Sequence, residues 1–167
     1  PGGRLNAEAF GEALARTGLV ITSGLAMGID GCAHRAALAA GGATVAVTAT
    51  GLDRVYPSDH HELAHQIAQH GALVSEFPLG TPPRRENFPQ RNRLISGLSL
   101  GVLVVEAALK SGSLINARLA AEQGREVFAI PGSIHSPQAR GCHRLIRQGA
   151  KLVETAQDVL EELRPGL

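Results

Sequence analysis

The sequence predicts an α/β protein, built as a doubly wound, mostly parallel β-sheet with helices on both faces. Its apolar segments are short and continuous rather than alternating, which is typical of strands buried on both faces. These segments alternate with longer stretches of helical periodicity, the order that produces parallel strands joined by crossover helices. The length of 167 residues fits one domain, so we expect a single domain over residues 1–167.

Each predicted strand is a run of mainly aliphatic residues. The first run, LVIT, stops at Ser23-Gly24, and the fifth stops at Pro131-Gly132. Turn-forming residues of this kind end a strand because they favour backbone conformations outside the sheet. The predicted strands cover residues 19–22, 44–48, 72–75, 102–105, 126–130 and 151–153.

The helices are predicted from periodicity, alanine content and end signals. Asn6 is a plausible N-cap for a first helix that runs through Arg16, and Gly18 follows as a stop. Residues 77–90 contain four prolines and are predicted to be irregular. The other predicted helices cover residues 29–40, 62–70, 91–98, 113–123, 142–148 and 156–163.

Composition excludes several classes of protein. Apolar residues make up 44% of the chain and aromatic residues 3%, which supports an aliphatic core and argues against disorder. No apolar run reaches the roughly 18 residues of a membrane span. No targeting signal opens the chain. With only two cysteines, we expect a reducing, cytoplasmic setting and no membrane partner. Cys32 and Cys142 match no disulfide framework or zinc pattern and are predicted to be core residues.

The turns that end the predicted strands are candidate phosphate-binding sites. Several are rich in Gly and Ser and run into helix N-termini, where N–H groups and the helix dipole attract anions. The alternative is that these residues only form turns and N-caps. Neither a dinucleotide-binding nor a P-loop glycine pattern occurs. The candidate residues are Ser23, Gly24, Lys110, Ser111, Gly112 and Ser113.

Two further patterns are judged to be coincidental. Residues 97–101 match the G-x-S-x-G pattern of serine hydrolases, but they precede a strand instead of following one, so no catalytic residue is assigned. His61 and His65 share a helix face without the H-E-x-x-H order, so no metal site is assigned.

A basic segment is the second candidate site. The formal net charge of +1 argues by itself against a nucleic-acid partner, yet residues 84–93 hold four arginines and one acid. Arginine matches phosphate oxygens, and an aromatic ring can stack on a base. The alternative is a solvated loop whose ring packs inward. The candidates are Arg85, Phe88, Arg91, Asn92 and Arg93. Residues 140–151 form a second basic cluster, which is either another basic face or a subunit contact.

Taken together, these motifs resemble the Rossmann-like domain of the DNA-processing protein A family (DprA, also called Smf). The combination of SGxAxGID, FPxRNR and KSGSL is far more specific than any one of them, and the resemblance covers nearly the whole chain. The matching stretches are SGLAMGIDGCAHRAAL from Ser23, ATGLDRVYP from Ala49, FPQRNRLISGLS from Phe88, VVEAALKSGSLINARLAAEQGREVFAIPG from Val104 and HRLIRQGAKLV from His143.

The resemblance implies a non-enzymatic function with no cofactor. The family binds single-stranded DNA taken up in natural transformation, protects it and helps to load the recombinase RecA. Its DNA pocket would involve Arg85, Phe88 and the turns at Ser23-Gly24 and Ser111-Gly112-Ser113. Its homodimers would form through the part of the domain from about Asn116 onward, a surface that RecA contacts would overlap.

Members of the family normally begin this domain with a strand that ends in a G-[ST]-R turn, whose arginine binds phosphate. The sequence starts at Pro1-Gly2-Gly3, so we expect that strand and the small flanking domains of many members to lie outside it. One alternative is a phosphoribohydrolase-like enzyme that processes nucleotides, with Glu106 as its acid. Another is a scaffold for dimerisation and protein contacts.

Overall fold

The computed structural model describes residues 2–166, and the chain divides into two compact units, Pro1–Ile95 and Ser96–Leu167. Within each unit, parallel strands are joined by helices, as predicted for an α/β protein. Among the described residues, no helix is both long and apolar enough to cross a bilayer.

The first unit contains a three-stranded parallel sheet in the order β1-β2-β3. Ile21 pairs with Thr44, and Val45 pairs with Ala72. Helix α2 packs on β1 and β2, and α3 packs on β2 and β3. Residues Leu25, Ala46, Leu63, Ala64 and Ile67 form its buried aliphatic cluster. The elements are α1 (Gly2–Arg16), β1 (Ile21–Ser23), α2 (Ile29–Ala39), β2 (Thr44–Val47), a 3₁₀ turn (Ser58–His60), α3 (His61–His70), β3 (Ala72–Val74) and α4 (Asn87–Gly97), whose last turn crosses into the second unit.

The second unit contains a three-stranded parallel sheet in the order β4-β5-β6. Helices α5 and α6 pack on β5 around a cluster that includes Val104, Ala117, Ala129, Cys142 and Leu145. The elements are β4 (Gly101–Val104), α5 (Gly112–Glu122), β5 (Glu126–Ala129), α6 (Pro137–Arg147), β6 (Lys151–Leu152), α7 (Ala156–Leu163) and a 3₁₀ turn (Arg164–Gly166).

Three helix starts differ from the predictions. Helix α1 begins at Gly2, so Asn6 lies inside the helix and is not its N-cap. Helix α6 begins at Pro137, five residues earlier than predicted, because proline suits the first turn of a helix. Helix α4 begins at Asn87 and places Pro89 in its first turn, where the missing N–H would have no intrahelical partner.

Candidate nucleic-acid interface

A cavity of about 240 Å³ opens in the first unit, where β1 and β2 end. This is the edge at which open α/β sheets bind ligands. Its size is just below the roughly 300–1,000 Å³ of pockets for drug-sized molecules. The lining residues are Gly24, Ala26, Met27, Ala49, Thr50, Tyr56, Pro57, Phe88 and Arg91.

Two aromatic rings and one guanidinium group line this cavity. The rings of Tyr56 and Phe88 meet edge to face, with centroids 5.7 Å apart and planes inclined at 62°. The Cζ atom of Arg91 lies 5.5 Å from the centroid of the Phe88 ring, within the range of a cation–π contact. Tyr56 is half exposed, so a large part of its surface is accessible to a ligand. The cavity therefore combines flat apolar surfaces with a fixed positive charge.

Phe88 is held at the cavity by the first turn of α4. The preceding residue, Asn87, is buried, and its side-chain Nδ2 donates to the carbonyl of Ala49 at 3.4 Å. The prediction that residues 77–90 are irregular is thus wrong for Asn87 to Gln90, because the helix begins before its proline. Phe88 therefore lies on a helix, half-buried rather than fully packed inward.

Arg91 is not a surface arginine but a structural cross-link. Its side chain is buried, and Nη1 donates to the carbonyls of Gly24 and Val47, each at 2.8 Å. Burial lowers the pKa of the guanidinium group, and the nearby Asp30 carboxylate opposes that effect. An always-charged group buried this deeply needs such partners. The same arginine that ties β1 to β2 therefore also contributes its charge to the cavity.

The turn after β1 is organised by Asp30. One carboxylate oxygen, Oδ2, accepts from the N–H groups of Gly24 and Ala26, each at 3.1 Å. The Gly24 N–H, which we expected to bind phosphate, thus already has an anionic acceptor within the chain. Leu25 adopts a left-handed conformation with φ of 62°, and its carbonyl accepts from Nδ1 of buried His60 at 2.8 Å. Ser23, the last residue of β1, is half-buried.

The remaining candidates of the basic segment differ in accessibility. Arg84 and Arg85 are exposed, with no side-chain hydrogen bond or ion pair among the described residues. Arg93 pairs with Glu76. The Oδ1 atom of Asn92 accepts from Nε of Arg91 at 3.1 Å, so Asn92 helps to orient the buried arginine. Arg85 is therefore better placed than Arg93 to take a new anion.

Lys110, Ser111, Gly112 and Ser113 lie in the second unit, at the start of α5. Ser111 is the N-cap, and its side chain accepts from the N–H of Ser113 at 3.2 Å. Lys110, Gly112 and Ser113 are exposed. The predicted combination of a cation, a hydroxyl group and a helix N-terminus is present, although the Ser113 N–H already has an internal acceptor.

The sequence did not single out Tyr56 as a site residue. It lies in one of the motifs that carry the family resemblance, but a tyrosine before a proline has no distinctive spacing. In the structure it is half exposed and lines the cavity from the loop after β2. The cavity brings together Gly24, Phe88 and Arg91 from the predicted set and adds Tyr56.

Comparison with known proteins identifies the family and the fold. A sequence profile described as DNA recombination-mediator protein A matches residues 2–164. The chain belongs to this family. Protein Smf of Escherichia coli is 59% identical over 159 residues, which cover 95% of this chain and 42% of that protein. The chain spans about half the length of the curated relatives it matches.

Two solved structures of DNA processing protein A resemble the chain. The Streptococcus pneumoniae protein matches with a TM-score of 0.89 at 49% identity, over 96% of this chain and 56% of that one. The Helicobacter pylori protein, described for its single-stranded DNA binding mode, matches with a TM-score of 0.89 at 32% identity, over 99% of this chain and 75% of that one. The family and the Rossmann-like α/β fold predicted from the sequence are thus confirmed.

Proposed function

We propose that this chain binds single-stranded DNA and that the cavity beside Phe88 holds an unpaired base. The observation that carries the proposal is the arrangement of Tyr56, Phe88 and Arg91, which surrounds a small cavity with two rings and a buried charge. A base inside a duplex is covered by its neighbours, whereas an unpaired base can enter such a cavity and stack. Binding of this kind tolerates any sequence, because every base has a flat face.

The phosphates of the strand would be held by exposed basic groups. Arg85, with Arg84 beside it, lies three residues before Phe88 and has no competing acid partner among the described residues. Arg93 would have to exchange Glu76 for a phosphate. In the second unit, Lys110 and the start of α5 offer a separate contact. Because Arg91 is engaged with two carbonyls, its role is to shape and charge the cavity.

A DNA titration tests this function. A labelled oligothymidylate is titrated by fluorescence anisotropy at several salt concentrations against the parent, Phe88→Ala and Arg85→Glu, with Arg4→Glu as the charge control. Loss of one stacked base costs about 1–3 kcal/mol, so Phe88→Ala should bind roughly 5- to 150-fold more weakly. Arg85→Glu should lower the slope of log affinity against log salt by about 0.7. Unchanged binding in both variants would refute the cavity as the DNA site.

We further propose that the chain acts in the cytoplasm as a non-enzymatic recombination mediator, one that protects incoming DNA in natural transformation and helps to load RecA. Family membership supports this role. The test is RecA ATPase activity on DNA covered by single-stranded DNA-binding protein, with and without the chain, together with nuclease digestion of the bound strand. Absence of both stimulation and protection would contradict it.

Homodimerisation through the region from about Asn116 onward is part of the same proposal. It is supported by the exposed apolar side chains Ile134 and Leu152, which lie in that region. Analytical ultracentrifugation should detect a dimer that Leu152→Glu weakens. A monomer at every concentration would refute it.

A further inference from the structure

Three arginines form a stripe along the exposed side of α6. Arg140, Arg144 and Arg147 recur at intervals of four and three residues, which places them on one face of the helix. All three are exposed, whereas Ala139, Gly141, Cys142 and Leu145 on the other side are buried. Helix α6 contains no acidic residue. We call these three side chains the arginine stripe.

The arginine stripe has no counter-charge within the described part of the chain. No ion pair or side-chain hydrogen bond joins any of its three guanidinium groups to another residue there. Lys151, which follows the helix, pairs with Glu162 at 3.4 Å. Like charges spaced three and four residues apart on a helix repel one another. A partner that carries several negative charges would relieve that repulsion.

The geometry of the stripe fits a row of phosphates. From Arg140 to Arg147 a helix rises about 10.5 Å, at 1.5 Å per residue. The three guanidinium groups are distributed along this length, so each can contact a different phosphate of one flexible single strand. The composition also matters, because a guanidinium fork binds two phosphate oxygens at once, which a lysine cannot do.

A second copy of the chain fits the stripe less well. The acidic residues that lie nearest to the stripe in sequence are in α7 and just before it. Two of these carboxylates already have partners within the chain. The Asp158 carboxylate accepts from the N–H groups of Glu154 and Thr155, and Glu162 pairs with Lys151. Glu154 and Glu161 are the two carboxylates left to form ion pairs with three arginines, so one guanidinium group would have no carboxylate of its own.

We infer that the arginine stripe on α6 is a second, sequence-independent binding surface for the phosphate backbone of single-stranded DNA. It lies in the second unit and uses none of the residues of the Phe88 cavity. The inference rests on the proposed function, because the stripe would bind the same class of ligand as the cavity. It goes beyond that function by assigning a separate surface, which contacts phosphates and no bases.

The test compares oligothymidylates of increasing length on the full chain. The stripe variant carries Arg140→Glu, Arg144→Glu and Arg147→Glu. The charge control carries Arg4→Glu, Arg16→Glu and Arg35→Glu, which changes the net charge equally at exposed positions on α1 and α2, outside the region from about Asn116 onward. A second stripe variant, with Arg140→Gln, Arg144→Gln and Arg147→Gln, serves if charge reversal impairs folding, which circular dichroism detects.

Loss of affinity confined to long strands is the expected result. Three phosphate contacts account for a salt slope of about 2, at about 0.7 each for single strands. The stripe variant should therefore lose a slope of that size on long oligonucleotides, while short ones bind as they do to the parent. The charge control should keep most of the parent slope.

Two results would overturn the inference. One is long-strand binding by the stripe variant equal to that of the charge control. The other is unchanged DNA binding with a shift to smaller species in sedimentation, which would assign the stripe to a contact between copies. Failure of the proposed function can be distinguished from failure of this inference. If the cavity does not bind a base, Phe88→Ala leaves the affinity for short strands unchanged, while the stripe variant still binds long strands more weakly than the charge control.

Discussion

A Cβ atom added to Gly24 would lie 2.7 Å from the guanidinium carbon of Arg91. The carbonyl of the same glycine accepts from Nη1 of Arg91 at 2.8 Å. The absence of a side chain at position 24 thus lets the arginine approach the backbone and reach the carbonyl of Val47 as well. Gly24 and Arg91 both line the cavity, so its shape depends on this close approach.

Gly24→Ala should destabilise the fold. The new methyl group and the Arg91 side chain cannot both keep their positions, and overpacking of this kind costs about 1–3 kcal/mol. The free energy of unfolding is measured by urea denaturation. Gly112→Ala is the control, because nothing lies within 4 Å of a Cβ there. We expect the control to stay within about 0.5 kcal/mol of the parent, and an equally stable Gly24→Ala protein would contradict the clash.

Arg91→Met and Arg85→Met should separate structural from DNA-binding arginines. The first leaves the carbonyls of Gly24 and Val47 buried without their charged donor, at about 1–3 kcal/mol for an unsatisfied group. The second removes an exposed side chain, so its free energy of unfolding should change by less than about 0.5 kcal/mol while its DNA affinity falls. Equal stability of the two variants in urea denaturation would show that Arg91 does not cross-link the strands.

Tyr56→Ala should weaken DNA binding, and Tyr56→Phe should not. The half-exposed ring meets Phe88 edge to face, so its contribution comes from the ring and not from the hydroxyl group. Loss of base stacking predicts a decrease in affinity for oligothymidylate of roughly 5-fold or more. If Tyr56→Phe were as weak as Tyr56→Ala in the anisotropy titration, the hydroxyl group would be the active part and stacking would be refuted.

His34 should make the fold less stable in acid. Its Nδ1 lies 2.7 Å from Oγ1 of Thr44, which donates its own proton to the carbonyl of Ile21 at 2.6 Å. The imidazole must therefore donate from Nδ1, and its buried Nε2 has no partner among the described residues. Burial lowers the pKa of His34 from 6.5 to about 4, with Asp30 opposing the shift and His60 and Arg35 adding to it.

The pH dependence follows from which state binds the proton. Between pH 6.5 and about 4, His34 is protonated in the unfolded chain but not in the folded one. The free energy of unfolding should thus fall by about 1.4 kcal/mol per pH unit as the pH drops through this window, and His34 should contribute no change above it. Chemical denaturation of the parent and of His34→Asn measures the slope, which the variant should lose. A His34 ring that titrates near 6.5 by NMR in the folded protein would contradict the assignment.

The sequence revealed the fold class because the aliphatic runs and the Gly and Ser turns are local signals. It also located the arginine-rich segment around Phe88, but it treated Arg85, Arg91 and Arg93 alike. Which of them is buried depends on which face of α4 each residue occupies. The sequence did not show that this helix begins at Asn87, because the four prolines of residues 77–90 indicated an irregular segment. Tyr56 was missed because its exposure is a property of the folded chain and leaves no spacing pattern in the sequence.

The carboxylate of Asp30 affects how the turn after β1 can bind anions. In many phosphate-binding turns the N–H groups have no acceptor within the protein and donate to the bound anion. Here the chain supplies its own counter-ion to Gly24 and Ala26. A phosphate could accept from these two N–H groups only by displacing the Asp30 carboxylate.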